Sequence, residues 1–537
     1  MKRRDIIKSL TILPFAGSFL PLESALSKGT GPLVPGPNIY QSIGVEPVIN
    51  CMGTFTIISG SLERPEVIET IGYAARHFVQ MDELAMGIGR RLAELTGAEW
   101  GMVSAGCAAG MKHVTAACVS GGNPEKLIRI PDLTGLDKTE VVIPRSSRNA
   151  YDHAIRNIGI SIITVDSLEE LEKSLNSRTA MIYVMTGNDT LPGNRFAIDK
   201  IAALAKPKDI PFLVDAAAED LTIPNVHLLA GASIVAYSGG KAMCGPQGAG
   251  LLLGRKDLLM SAWQASSPHH GTGRDNKVGK EEMMGMLAAV EAWIKRDHDE
   301  KYRTWMTYLD NISKRVSKIK GIKTEIREPQ GLDLNNRSPV LMISWDSSGF
   351  NITGPDIAEI LANTKPRIAL RGTGNDEDGT SSLRVNSGQM QPGDDKIVAD
   401  RIFELLSKKY PKPSAMAAPA ADISGRWAVD VQFFSSKGSH AFLLEQDGNW
   451  LQGSHKTEFS FREIVGTIEG DQVKLSSTER LTADSVPYIF SGTLSGDTIS
   501  GQIHLGEYLN ATFTARKNDY RVSRRQIRYP KGQPLAT

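Results

Sequence analysis

Two side chains placed after apolar runs carry the chemistry of this sequence. Phe212-Leu213-Val214 delivers Asp215, followed by Ala216-Ala217-Ala218-Glu219, and Ser233-Ile234-Val235-Ala236-Tyr237 delivers Ser238-Gly239-Gly240-Lys241. In an open α/β sheet, ligands sit beyond the carboxyl ends of the strands, so Asp215 and Lys241 face one crevice. An acid and a lysine so placed suit pyridoxal 5'-phosphate (PLP). The lysine amine forms the Schiff base, and the carboxylate keeps the pyridine nitrogen protonated so that the ring accepts electrons. Ser238 offers a hydroxyl for the phosphate, and the two glycines before Lys241 permit close approach of backbone to cofactor. Each signal has a plain structural alternative: a solvated surface lysine, and for Asp215 a helix N-cap. Lys256, after Gly254-Arg255, follows another apolar run but lacks a cradle of small residues.

A third element precedes both. Gly101-Met102-Val103 leads into Ser104-Ala105-Gly106-Cys107-Ala108-Ala109-Gly110 and then the helical run Met111 to Val119. A small-residue turn at the start of a helix exposes backbone N–H groups at the positive end of the helix dipole, which suits a phosphate. The alternative, close packing of helix on sheet, is weaker once this turn is seen ahead of an Asp and a Lys in order.

These residues need a scaffold that brings strand ends together. From about residue 39 to 410, β-branched runs such as Ala180 to Met185 alternate with helical periodicity, as in Ile198 to Lys206. That pattern predicts a parallel sheet with helices on both faces. A long helical segment from Lys280 to about Lys320 leads into a smaller α+β domain, with Met283, Met284 and Met286 as packing residues. Prolines 411, 413 and 419, interleaved with alanines, mark a linker. Beyond it, short alternating runs are separated by Asp447-Gly448, Glu469-Gly470-Asp471 and Ser495-Gly496-Asp497. They predict about eight strands closing into an up-and-down barrel. Gly425-Arg426-Trp427 resembles the opening of lipocalin-type barrels, and Trp427 and Trp450 read as core plugs. The expected division is a leader at 1–30, a large α/β domain at 31–290, a small α+β domain at 291–410, a linker at 411–422, a barrel at 423–520 and a basic tail at 521–537.

The chain has 537 residues, with 61 Lys and Arg against 60 Asp and Glu, a net charge of +1. So balanced a surface has no field to recruit nucleic acid or an acidic membrane. Cys51, Cys107, Cys118 and Cys244 lack paired spacing, so neither a zinc site nor a disulfide framework is encoded, and no metal is expected. Arg3-Arg4 followed by a broken apolar stretch, Leu10 to Leu22, resembles a twin-arginine export signal and is too short to span a bilayer. The expectation is periplasmic, with cytoplasmic as the alternative and no stable membrane insertion after the leader.

Taken in order, Val45 to Ser61, Asp82-Glu83-Leu84, Ser104 to Gly110, Arg148 to His153, Val214 to Glu219, Ser238 to Lys241 with Gly245-Pro246-Gln247, and Lys277 to Glu282 resemble the selenocysteine-synthase-related family of PLP enzymes, in its D-glucosaminate-6-phosphate ammonia-lyase-like branch. The resemblance covers roughly residues 38 to 410. It implies the fold-type-I, aspartate-aminotransferase-like architecture and a homodimer or higher oligomer with active sites at the interface. By matching motif it makes Lys241 the Schiff-base lysine, Asp215 the pyridinium partner, and Ser104, Ala105, Gly106 and Cys107 part of the phosphate cup. His153 and Tyr151 become candidates for stacking on the ring or orienting substrate, with packing as the alternative. Ser147 stands where a histidine is expected, a departure from the family pattern. Arg384, with Arg371 as runner-up, is a candidate for a two-pronged pair with a substrate carboxylate. Arg274 and Lys277 lie in a glycine-rich loop that in the dimeric plan reaches the neighbouring site. The expected function is a PLP-dependent lyase or transferase acting on a small amino acid or amino sugar acid; the alternative is a non-catalytic exported binding protein that keeps the fold. A tRNA substrate is not expected.

Overall fold

A computed structural model describes residues 33–374, 378–412, 414–479 and 485–518. The leader and the basic tail lie outside the described residues. The chain divides into two units, one ending at Pro411 and the other beginning at Lys412.

In the first unit, strand β1 (Val48–Asn50) comes first in sequence but does not join the main sheet. That sheet has seven strands: β2 (Trp100–Ser104), β3 (Glu140–Pro144), β4 (Ser161–Val165), β5 (Thr179–Met185), β6 (Phe212–Asp215), β7 (Ile234–Ser238) and β8 (Gly250–Gly254), in the order β2-β8-β7-β6-β5-β3-β4. It is mixed rather than wholly parallel. Strands β3 to β7 pair in parallel, whereas β8 runs antiparallel to both β7 and β2. Both faces are covered, which is why β6 is buried at every position and reads as a continuous apolar run.

The expected single helix after Lys280 is two helices, Lys280–Lys295 and His298–Val316. Asp297 caps the second by accepting from the Glu300 N–H at 2.8 Å. Arg296, in the break, turns back toward the carbonyls of Ala242 and Met243.

The small domain has a four-stranded antiparallel sheet of β9 (Lys323–Arg327), β10 (Val340–Asp346), β12 (Arg371–Gly374) and β13 (Thr380–Asn386), in the order β12-β13-β10-β9. Strand β11 (Arg367–Ala369) pairs in parallel with β1, and Cys51 lies in this domain's apolar core. The N-terminal segment at 48–51 therefore packs with the small domain, although sequence order groups it with the large one. The loop after β1 thereby runs along the boundary between the two domains.

The second unit is a closed barrel of eight antiparallel strands, from β14 (Gly425–Gln432) to β21 (Asn510–Asn518). Closure leaves no sheet edge. Trp427 is fully buried and donates its indole N–H to the Ile423 carbonyl at 2.9 Å. Trp450 is not a plug. It is 47% exposed, because the two-residue period of the strand puts its neighbour Leu451 inside the barrel.

Candidate active site

Asp215 ends β6 with its side chain buried. Its Oδ2 accepts from the Tyr183 hydroxyl at 2.8 Å, and its Oδ1 accepts from the Ala217 N–H at 3.1 Å and the Cys107 thiol at 3.7 Å. Burial pushes this carboxyl above the usual carboxylate range; the Tyr183 and Ala217 hydrogen bonds, the Lys241 charge and the Cys107 thiol all act against that rise. Cys107 is itself pushed well up by burial and by Asp215, so it is a thiol donor and not a nucleophilic thiolate.

The turn at 104–107 takes its shape from two neighbours. Gly106 sits at φ 85°, a region open to glycine, and the fully buried Ser104 donates its hydroxyl to the Gly106 carbonyl at 2.8 Å. The Ser104 side chain thus braces the turn, and what the turn presents is backbone. Gly110 N–H is the first group of helix Cys107–Ser120 to bond one turn back, to Gly106, which leaves the N–H groups of Cys107, Ala108 and Ala109 at the positive helix end. Ser104, Gly250 and Ser238 lie side by side across β2, β8 and β7. A Cβ on Gly250 would stand 2.5 Å from the Gly106 carbonyl carbon and 2.6 Å from the Cys107 nitrogen, so this glycine is what lets the turn lie directly on β8.

Lys241 follows β7 after a tight turn. The glycines before it are also required by the protein's own packing. A Cβ on Gly240 would lie 2.6 Å from Gln247 Cα, and one on Gly239 would lie 2.8 Å from Met286 Sδ.

Lys241 lines a cavity of about 490 Å³ whose walls also include Tyr151, Trp293, Trp305, Arg371 and Arg384. Phe55, from the loop after β1, lies under the Arg371 guanidinium at 4.8 Å from ring centre to Cζ. Arg384 makes no side-chain hydrogen bond or ion pair among the described residues.

Other expected residues lie elsewhere. His153 is exposed at the start of the short helix His153–Arg156 and is not in the cavity wall, whereas Tyr151 is. Ser147 is buried with its hydroxyl 3.5 Å from the Met185 carbonyl. Arg274 donates to the Ser267 hydroxyl at 2.6 Å. All four cysteines are free, and no group of metal-binding side chains occurs among the described residues. Sequence reasoning missed Arg296, which the helix break carries into the cavity wall, and Tyr183, whose hydroxyl sits within the apolar run Ala180 to Met185.

A lysine in a cavity, a buried carboxylate at a neighbouring strand end and a helix N-terminus with free N–H groups are the parts a PLP site needs, and they fit that cofactor. Fold and site define a PLP-dependent enzyme of fold type I. Residues 153–283 match the aminotransferase class-V family. The chain is 30% identical to D-glucosaminate-6-phosphate ammonia lyase of Salmonella typhimurium over 303 residues, spanning 55% of this chain and 79% of the relative. It is 28% identical to 5'-C-glycyluridine monooxygenase-decarboxylase of a Streptomyces species, over 70% of this chain and 94% of the relative. L-Seryl-tRNA(Sec) selenium transferase of Proteus mirabilis is 25% identical over 48% of this chain and 58% of its own. A solved structure of D-glucosaminate-6-phosphate ammonia-lyase superposes with a TM-score of 0.61 at 27% identity, over 69% of this chain and 99% of that one. The chain belongs to the selenocysteine-synthase-related family that includes D-glucosaminate-6-phosphate ammonia lyase, and its cofactor is PLP.

Proposed function

We propose that the protein is a PLP-dependent lyase acting on a small amino acid or amino sugar acid that carries a second anionic group, by removal of the Cα proton and loss of a β-substituent. The observation that carries this reading is the cavity. Lys241 stands in one wall; Arg296, Lys301, Arg337, Arg371 and Arg384 supply cations to the others, with Asp220 and Asp299 as the acids of the lining. Such an excess of positive charge favours a substrate with more than one anion. The relative named D-glucosaminate-6-phosphate ammonia lyase acts on a compound of that kind, with amine, carboxylate and phosphate.

Bound here, PLP supplies an electron sink for the negative charge that develops at Cα. The chain's own residues do the rest. Asp215 holds a proton at the ring nitrogen, the N–H groups of Cys107 to Ala109 bind the cofactor phosphate, and Arg384 takes the substrate carboxylate in a two-pronged pair. The Lys241 amine, when not bonded to the cofactor, would remove the Cα proton; the Cα electron pair would displace the group on Cβ, and the Lys241 ammonium would return a proton to that leaving group. Trp293 and Trp305 hold two of the cavity's cations over their rings, Arg296 at 4.9 Å and Lys301 at 5.6 Å from the ring centres.

Incubation with a panel of amino acids, amino sugar acids and their phosphorylated forms, with ammonia and keto acid measured, tests this reading. Turnover confined to acids with a second anion supports it; turnover of simple neutral amino acids alone contradicts it. We propose in addition that Arg3-Arg4 directs export to the periplasm. Replacement of both by lysine is expected to hold the protein in the cytoplasm, and periplasmic recovery of that variant would refute the proposal.

A further inference from the structure

The carboxylate that serves the cofactor ring is not held by its own strand alone. Tyr183, fully buried on β5, places its hydroxyl 2.8 Å from Asp215 Oδ2. A hydroxyl has one proton and two lone pairs, so which way it points depends on its other neighbour. That neighbour is Asn149, whose Nδ2 lies 3.2 Å from the Tyr183 oxygen. The orientation of the Asn149 amide is fixed at both ends. Its Oδ1 accepts from the Tyr151 N–H at 2.8 Å, and its Nδ2 donates to the Ser147 carbonyl at 2.8 Å. The Nδ2 group is therefore the face turned to Tyr183, where it can only donate. The Tyr183 proton is left for Asp215.

The direction matters because a carboxylate only accepts, whereas a carboxylic acid needs somewhere to send its own proton. At Oδ2 the neighbour is a fixed donor, and at Oδ1 the Ala217 N–H is another. Both oxygens are thus solvated by the protein as an anion, in a site where burial alone would favour the neutral acid.

We propose that Tyr183, with its proton directed by Asn149, is a positioning residue that keeps Asp215 ionised and aimed at the ring nitrogen of PLP. This rests on the assignment of Asp215 as the ring partner. Tyr183 touches neither substrate nor the reacting carbon. Its effect passes through the carboxylate, which without this donor binds a proton more tightly and so competes with the ring nitrogen for it.

The test uses full-length protein loaded with PLP labelled with ¹⁵N in its ring, the nitrogen resonance reporting whether the ring is protonated. Wild type is expected to show the protonated position and Asp215→Asn the unprotonated one. Tyr183→Phe keeps the shape of the side chain and removes only the hydroxyl; its resonance is expected to move measurably toward the unprotonated position while the cofactor stays bound. Asn149→Ala leaves Tyr183 in place but frees its proton to turn, and a smaller movement in the same direction is expected. If wild type and Asp215→Asn differ as expected but Tyr183→Phe and Asn149→Ala both match wild type, the inference fails. If wild type itself shows an unprotonated ring, the assignment of Asp215 fails instead.

Discussion

Arg371 on β12 and Arg384 on β13 are direct cross-strand partners, and both face the cavity that holds Lys241. Like charges opposite one another on neighbouring strands destabilise a sheet, and Arg384 accordingly loses proton affinity, through burial first and then through the Arg371 and Arg327 charges. A pair so arranged is relieved by an anion.

Removal of one member is therefore expected to weaken substrate binding more than turnover. Arg384→Ala gives up a charge-assisted pair of about 1.5–3 kcal/mol, which is a rise of about tenfold to a hundredfold in KM with a smaller change in kcat. Arg384→Lys restores charge without the fork and recovers only part of the loss. Steady-state kinetics on the best substrate of the panel provides the check, and an unchanged KM in Arg384→Ala would remove this residue from the site.

Asp215→Asn is expected to retain PLP but lose turnover by at least about a hundredfold, because an amide cannot hold the pyridinium proton. Cofactor content and kcat measured on the same preparation decide the point. Near-native turnover with full PLP content would contradict the assignment.

The positions of Asp215 and Lys241 were legible because each follows a short apolar run, and in a sheet of this kind strand ends converge on the ligand. The turn at 104–107 was legible for a similar reason, since small residues before a helix expose backbone N–H groups. The closed barrel followed from its regular Gly-containing turns. Tyr183 was hidden by its own strand: in Ala180 to Met185 it counts as one more core position, and its partner Asp215 is distant in sequence. Arg296 was hidden because the helical period runs on through 296 and 297, and only the Asp297 cap breaks it. Trp450 misled because size argues for burial while the strand's alternation assigns the inside to Leu451. The packing demand on the glycines before Lys241 is not visible in the sequence, since only the fold brings Gln247 and Met286 against them.

The barrel carries its own pH sensitivity. His440 Nδ1 lies 3.0 Å from His455 Nε2, and His455 Nδ1 lies 2.9 Å from the Ser477 hydroxyl, all three side chains being buried. Burial, reinforced by His440 and Arg462, pushes His455 down to about 3 from an ordinary 6.5; burial and Arg462 also lower His440, against the opposing charge of Glu458. Well above pH 6.5 His455 is neutral in both folded and unfolded chains and contributes no pH dependence. As pH falls from 6.5 toward 3, the unfolded chain takes up a proton that the folded barrel refuses, so stability declines. For His455 the loss between pH 7 and 5.5 is about 1 kcal/mol. Chemical denaturation of the barrel at the two pH values measures it, and His455→Gln is expected to flatten the dependence. Equal stability at both pH values in the wild type would contradict the buried neutral pair.

Every role assigned to the site depends on Lys241 binding the cofactor covalently. Full-length protein loaded with PLP is reduced with borohydride, digested and read by peptide mass spectrometry. A pyridoxyl group is expected on the peptide containing Lys241, with loss of both the adduct and the visible absorbance of the bound cofactor in Lys241→Ala. An adduct on Lys256 or another lysine, or an unchanged spectrum in Lys241→Ala, would contradict it.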